Sequence, residues 1–414
     1  MINILKSKKI LISLFCCFTV IAVIDVIIPG RTFFPDENYY IAEAKSIVET
    51  GSFAVGSSKA PSMPMAGMIY AVFYKIFGDT VFFIRSVRVT QAFIHILTAI
   101  GSASIAWSIF KNEATAKIVL FAVTVYPSLL AFQCTLMTET LFIFTLVWGI
   151  AFLYLWKSDS RKYFFCSVMA FMFSLYVRPV ITTIMPILTG ARSMALESSW
   201  RNRIRYVLLS CVLFVACMSP WWIRNWGVFG KFVPFAPASG NFYLGNNPAN
   251  KTAGIDWSTD VEQAVVDRIS SSGDELAVSK AYMDEAKKYI LENKVIFLHN
   301  MWLKFKRFWN FTSNYKGNMY SKAFLLYNIS LLLGWGTAFT LGVVSFFINR
   351  KRWRDFLPIY LLIAYFTFIH TVVIASLRYR LPIEPFFIIV GADCVTRIYN
   401  KLSGAYRTQG KSLQ

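Results

Sequence analysis

Nine apolar stretches, most of them close to the length needed to cross a bilayer, follow one another along the chain. With soft limits they cover residues 10–28, 81–109, 118–135, 138–156, 163–191, 206–222, 323–348, 356–376 and 381–396. Composition agrees, because 56% of the 414 residues are hydrophobic and 15% charged, against roughly 25% charged in an average soluble domain. Mean hydropathy is +0.51. These properties exclude a disordered, fibrous or ordinary soluble chain and imply an integral membrane protein. The 38 Phe, 20 Tyr and 12 Trp suit a protein that meets lipid with its rings and anchors them at the interface.

The formal balance of 42 Lys and Arg against 22 Asp and Glu is +20, and most of the basic residues fall between the apolar stretches. That placement reads as topology signals and contact with membrane lipids, not nucleic-acid binding. The first stretch follows Lys6, Lys8 and Lys9 and reaches Pro29, Gly30 and Arg31 without a small-residue cleavage site, so a retained signal anchor with a cytoplasmic start is expected. Stretch 163–191 has Arg161 and Lys162 on one flank and Arg192 on the other, and is broken at Arg178 and Pro179. Keeping both flanks cytoplasmic makes it a hairpin of two short helices with Arg178 near the far turn.

The expectation is therefore an all-α polytopic membrane protein with about ten transmembrane helices, in a range of about 9–12. Residues 1–414 form one membrane-embedded domain, with outer regions at 31–80 and 223–322 and a final group of membrane helices at 323–396. Within the outer regions short helices are predicted over 36–49, 64–77, 274–293 and 295–311. The last is dense in Trp302, Phe305, Phe308 and Trp309 and reads as interfacial. No internal repeat is evident, which gives no support to a repeat-built transporter.

With the spans placed, polar groups converge on one side of the membrane. Asp36 and Glu37 follow the first crossing, Glu139 opens the fourth, and Arg178 sits in the hairpin. Arg224 and Asn225 follow the seventh crossing, His370 lies near the outer end of the ninth, and Arg378, Tyr379 and Arg380 join the last two. Acids and bases beside an apolar groove form a candidate site. Asp36, next to a second acid and ahead of an aromatic helix, could accept a hydroxyl proton, or it could simply cap that helix. Glu139 needs a partner, which Arg178 could supply; the same arginine could instead orient an acceptor. Arg378 and Arg380 flank Tyr379 with two rigid forks suited to a phosphate or a lipid headgroup.

Other chemistry is missing from the sequence. There is no GxxxxGK[ST] loop, GxGxxG fingerprint, GxSxG elbow or HExxH. His95, His299 and His370 are isolated, and the seven cysteines lack ligand spacing. A metal would have to be assembled from distant residues, and a donor delivered by the membrane is the economical reading.

The ordered blocks resemble the membrane glycosyltransferases of the C-type fold, in the group related to dolichyl-phosphate-mannose protein mannosyltransferases and bacterial aminoarabinose lipid A transferase. The blocks are Phe34-Pro35-Asp36-Glu37-Asn38-Tyr39-Tyr40, Pro61-Ser62-Met63-Pro64 with Phe73-Tyr74-Lys75-Ile76-Phe77-Gly78, and Met137-Thr138-Glu139-Thr140-Leu141. Pro220-Trp221-Trp222-Ile223-Arg224-Asn225, the 240–248 segment and Arg378-Tyr379-Arg380-Leu381-Pro382-Ile383-Glu384-Pro385 follow in order. The resemblance implies inverting transfer of a sugar from a polyprenyl-phosphate carrier to an extracytoplasmic lipid, glycan or protein acceptor, at a bacterial inner (plasma) membrane with the site facing the periplasm or exterior.

It implies that Asp36, with Glu37 as a paired acid, activates the acceptor and that Glu139 helps to hold it. Arg378, Arg380 and Arg224 are the candidates for the carrier phosphate, with Tyr379, Arg178, His370 and Asn225 positioning substrate. Metal dependence differs within this group, so a divalent cation stays open. Longer members carry a large outer C-terminal domain that has no counterpart after Arg397, which tilts the expectation toward a lipid-linked or lipopolysaccharide acceptor. The competing readings are a lipid-linked sugar carrier or flippase without transfer chemistry, and an envelope assembly factor that binds a partner through 223–322.

Overall fold

The computed structural model describes residues 8–27, 30, 32–157, 161–196, 199–237, 239–271, 273–313 and 322–411. Among them every named element is a helix, and extended pairing is limited to a bridge between Val55 and Ser58. After α1 (Lys8–Ile27), α2 (Pro35–Thr50) begins where Pro35 presets φ and where Asp36 and Glu37 put negative charge at the positive end of the helix dipole. Gly51 ends α2 in the left-handed region at φ +69°, which costs glycine no Cβ strain. α3 (Pro64–Phe77) packs tightly on α2.

An inner bundle follows, made of α4 (Val81–Phe110), α5 (Glu113–Thr124), α6 (Pro127–Gln133), α7 (Glu139–Leu155) and α8 (Lys162–Val177). α5 and α6 meet at 51°, where Pro127 interrupts the helix. Small residues let the backbones approach, as is usual between helices in lipid. A Cβ on Gly149 of α7, for instance, would lie 2.5 Å from the Phe171 ring of α8. The predicted hairpin is present: α8 stops at Val177, a 3₁₀ turn covers Pro179–Ile181, and α9 (Ile184–Leu196) returns.

α10 (Trp200–Phe229) extends past the expected 206–222 limits, through Pro220. At 30 residues it is roughly 45 Å long, longer than the ~30 Å hydrocarbon core. Arg224 and Asn225 therefore lie on its last turns and not on a loop. Four helices come next, within residues 223–322: α11 (Ser239–Gly245), α12 (Gln263–Ser270), α13 (Glu275–Glu292) and α14 (Lys294–Phe308). The chain then passes through α15 (Lys322–Leu331), a π turn at Leu332–Gly336, α16 (Thr337–Ile348), α17 (Trp353–Val372), the short α18 (Leu377–Arg380) and α19 (Glu384–Lys411), which packs on α16.

Large apolar side chains such as Phe93, Leu208, Val212 and Phe347 are exposed on outward faces, as lipid contact requires. Among the described residues four helices are long and apolar enough to cross a membrane, or five if α5 and α6 form one bent span. The expected ten are not reached by that measure. α7, α8 and α9 have 17, 16 and 13 residues, short of the roughly 20 that a straight crossing takes.

Candidate active site

The turn before α7 is the floor of the site. Backbone polar groups in an apolar bundle must find partners, and neighbouring helices supply them. Tyr70 donates to the Met137 carbonyl at 2.7 Å, Gln91 to Thr135 at 2.7 Å, and Arg88 Nε to Cys134 at 2.8 Å. The Leu136 amide donates to Glu37 Oε2 at 2.8 Å, while Glu37 Oε1 accepts the Phe33 and Phe34 amides at 2.6 and 2.8 Å. Glu37 is buried with both oxygens committed to backbone amides. Glu37, expected as a paired acid, pins the start of α2 to the turn before α7, and so sets Asp36 beside Glu139.

Arg378 completes the arrangement from α18. Its Nη1 lies 2.6 Å from Asp36 Oδ2, and its Nε donates to Glu139 Oε1. Arg178 approaches Glu139 from the hairpin, with Nη2 2.6 Å from the same oxygen and Nε 2.6 Å from Thr138 Oγ1. Two carboxylates thus alternate with two guanidiniums across segments that are far apart in sequence. Glu139 is 0% exposed, whereas Asp36 is open to solvent. Glu139 Oε2 has no hydrogen-bond partner among the described residues.

Tyr40 belongs to this group although the sequence reading passed over it as a site residue. It lies within electrostatic reach of Arg178, Glu139 and Arg378, and burial pushes its phenol up from the ordinary value. Its position four residues after Asp36, on the same face of α2, was the available signal. Glu43 is one turn further. Its carboxyl oxygens lie 2.8 and 3.0 Å from Ser62 Oγ, and a Cβ on Gly67 would come within 2.7 Å of its Cδ. Burial pushes Glu43 up to about 7, against the opposing effects of Ser62 and Arg224.

His370 and Tyr379 back the Arg378 turn. Their rings stack at 4.9 Å, His370 also stacks on Phe308 at 5.9 Å, and His370 Nδ1 is 3.2 Å from the Ile374 carbonyl. Arg380 is elsewhere. It is 1% exposed and holds Glu384 at 2.8 Å, the Phe308 carbonyl at 3.0 Å and the Asn310 carbonyl at 2.5 Å, with Trp335 4.1 Å away as a cation–π partner. Arg380, expected beside Arg378 as a phosphate ligand, is thus enclosed by protein partners apart from the ion cluster, because residues two apart on a helical turn point in different directions.

Arg224 and Asn225 also stand apart. Arg224 donates to the Lys59 carbonyl at 2.6 Å and to Asn225 Oδ1 at 2.9 Å, and packs against Phe53 and Trp221. Asn225 is buried and donates to the Val233 carbonyl at 2.8 Å. Together they tie the C-terminal end of α10 to Lys59 and Val233. The cluster does not fit a divalent cation: Arg378 stands between the two carboxylates, and among the described residues no three His, Cys, Asp or Glu are grouped to hold a metal.

An apolar cavity of about 590 Å³ lies between α14, α16, α17 and α19. Phe305, Trp309, Phe346, Tyr360 and Phe387 line it, and it reaches Thr371, next to His370 in the chain.

No family model and no curated protein matches the sequence. Solved structures do. ArnT from Cupriavidus metallidurans in the apo state superposes with a TM-score of 0.57 at 13% identity, over 94% of this chain and 61% of that one. The same protein bound to undecaprenyl phosphate gives 0.51 at 14%, over 95% and 61%. The Archaeoglobus fulgidus oligosaccharyltransferase in the apo form gives 0.54 at 12%, over 99% and 52%. The fold is that of the C-type membrane glycosyltransferases. This chain spans roughly half to three fifths of the length of those C-type neighbours. At such identity the likeness shows the C-type architecture, including its multi-pass membrane character, and nothing finer.

Proposed function

We propose that the protein is an inverting glycosyltransferase that moves a sugar from a polyprenyl-phosphate carrier to an acceptor outside the membrane. The observation that carries this reading is the bridge that Arg378 makes between Asp36 and Glu139. It puts an exposed carboxylate, a buried carboxylate and a phosphate-matching guanidinium within a few ångströms of one another. Support comes from the fold, since one neighbour is described with undecaprenyl phosphate and another, the A. fulgidus enzyme AglB, with dolichol-phosphate. The aromatic cavity beside α17 offers apolar volume for a prenyl chain in the range of typical ligand sites.

In this reading the carrier phosphate binds Arg378 and competes with Asp36 for it, which frees the Asp36 carboxylate. The acceptor hydroxyl gives its proton to Asp36 as its oxygen bonds to the anomeric carbon. The bond from that carbon to the phosphate oxygen breaks, and the electron pair stays on the phosphate, where Arg378 meets the developing charge. Glu139 holds Arg378 and Arg178 in place. Regions 31–80 and 223–322 then face the periplasm or exterior of a bacterial inner membrane, and the acceptor is a lipid A-type molecule, another lipid-linked glycan or a protein.

The test is reconstitution in liposomes with polyprenyl-phosphate sugars and a cell-envelope acceptor extract. Asp36→Asn should abolish formation of new glycan while leaving undecaprenyl phosphate binding and membrane level intact. Undiminished transfer by this variant overturns the assignment.

A further inference from the structure

α14 holds the turn that delivers Arg378, and it does so through a buried lysine. Lys304 is 1% exposed, and its Nζ donates to Asn246 Oδ1 at 2.8 Å and to the Val372 carbonyl at 3.1 Å. Val372 is the last residue of α17, where carbonyls lack partners within the helix. Asn246 adds a second donor there, reaching the Val372 carbonyl at 3.1 Å and the Val373 carbonyl at 3.4 Å. Gly245 permits this approach, because a Cβ on it would lie 1.9 Å from the Val373 oxygen. On the far side of the turn Arg380 returns to the Phe308 and Asn310 carbonyls at the end of α14.

The turn is therefore fastened at entrance and exit to one helix. A simple space-filling role would favour an apolar side chain at 304, since burying an amine is costly. Among the described residues no carboxylate pairs with it, and burial pushes it down to about 7. What the amine gains is hydrogen bonds at a helix C-terminus, where positive charge is favourable.

We propose that Lys304, together with Asn246, is a positioning residue for Arg378: by capping the end of α17 it fixes where the 373–380 turn starts and hence where the guanidinium meets Asp36 and Glu139. The consequence for substrate rests on the reading of Arg378 as the phosphate ligand.

Two measurements separate the claims. Hydrogen exchange across 373–380 in full-length protein should accelerate at least about tenfold in Lys304→Met. Undecaprenyl phosphate affinity should fall roughly tenfold in Lys304→Met, with no further loss in Lys304→Met/Arg378→Ala beyond Arg378→Ala alone. Gly245→Ala, which presses on Val373 while keeping the lysine, should reproduce the exchange effect if Lys304→Met does not accumulate. Unchanged exchange, or additive losses of affinity, overturns the proposal. Wild-type affinity in Arg378→Ala overturns the phosphate reading instead, and leaves exchange to decide the brace.

Discussion

With Arg378 and Arg178 both on one oxygen of Glu139, the buried acid is compensated only while both cations are present. Breaking a buried pair by removing one charge typically costs about 3–5 kcal/mol, so Glu139→Gln should lower thermal stability in detergent by several degrees and reduce transfer together. A melting temperature equal to wild type would show that the three charges are not coupled. Glu43 gives a pH-dependent prediction. Its folded value of about 7 lies above the ordinary 4.5, so between those values the folded state binds more protons than the unfolded one. The stability it contributes is full below about 4.5 and is lost as pH rises through about 7. Glu43→Gln should therefore melt above wild type at pH 8 and equal to it at pH 4.5, as scanning fluorimetry can check.

At the scale of elements, the contacts that shape the site are those between helices whose small residues face one another. Ser167 of α8 donates to the Gly149 carbonyl of α7 at 2.7 Å, and the Phe171 ring occupies the space a side chain would need. Gly149→Leu should wedge α7 from α8 and cost about 1–3 kcal/mol or more, with Glu139 displaced because it opens α7. Retention of both melting temperature and undecaprenyl phosphate binding would contradict this coupling. The hairpin at Arg178 was readable from its basic flanks and internal Pro179. The reach of α10 beyond 206–222, back to Trp200 and on to Phe229, was not, because Arg201, Arg203, Arg205 and Arg224 end the apolar run while the helical backbone continues through them.

For the whole molecule, the proposed reaction puts α2, the 223–322 region and the end of α17 in one aqueous compartment. Single cysteines replacing Thr50 and Ser258, both exposed, should react with an impermeant maleimide from outside the cell over the background of the seven native thiols. A cysteine replacing Lys351, exposed between α16 and α17, should react only after permeabilisation. Labelling of Thr50→Cys and Lys351→Cys from the same side would reverse the inferred threading.

The alternation of apolar stretches with basic clusters determined by itself that this chain is helical and membrane-embedded, because hydrocarbon leaves the backbone few other choices. The same reasoning located Asp36, Glu139, Arg178 and Arg378, since charges beside apolar runs are costly and therefore conspicuous. Only the tertiary structure decided which charges meet. Arg380 and Arg378 look equivalent in sequence, yet one faces Asp36 and the other is enclosed with Glu384. Glu37 reads as a second acid and is instead fixed by three amides, one of them from Leu136. Side-chain direction and the identity of the partner across the bundle depend on helix rotation and packing, and one sequence read along its length carries neither.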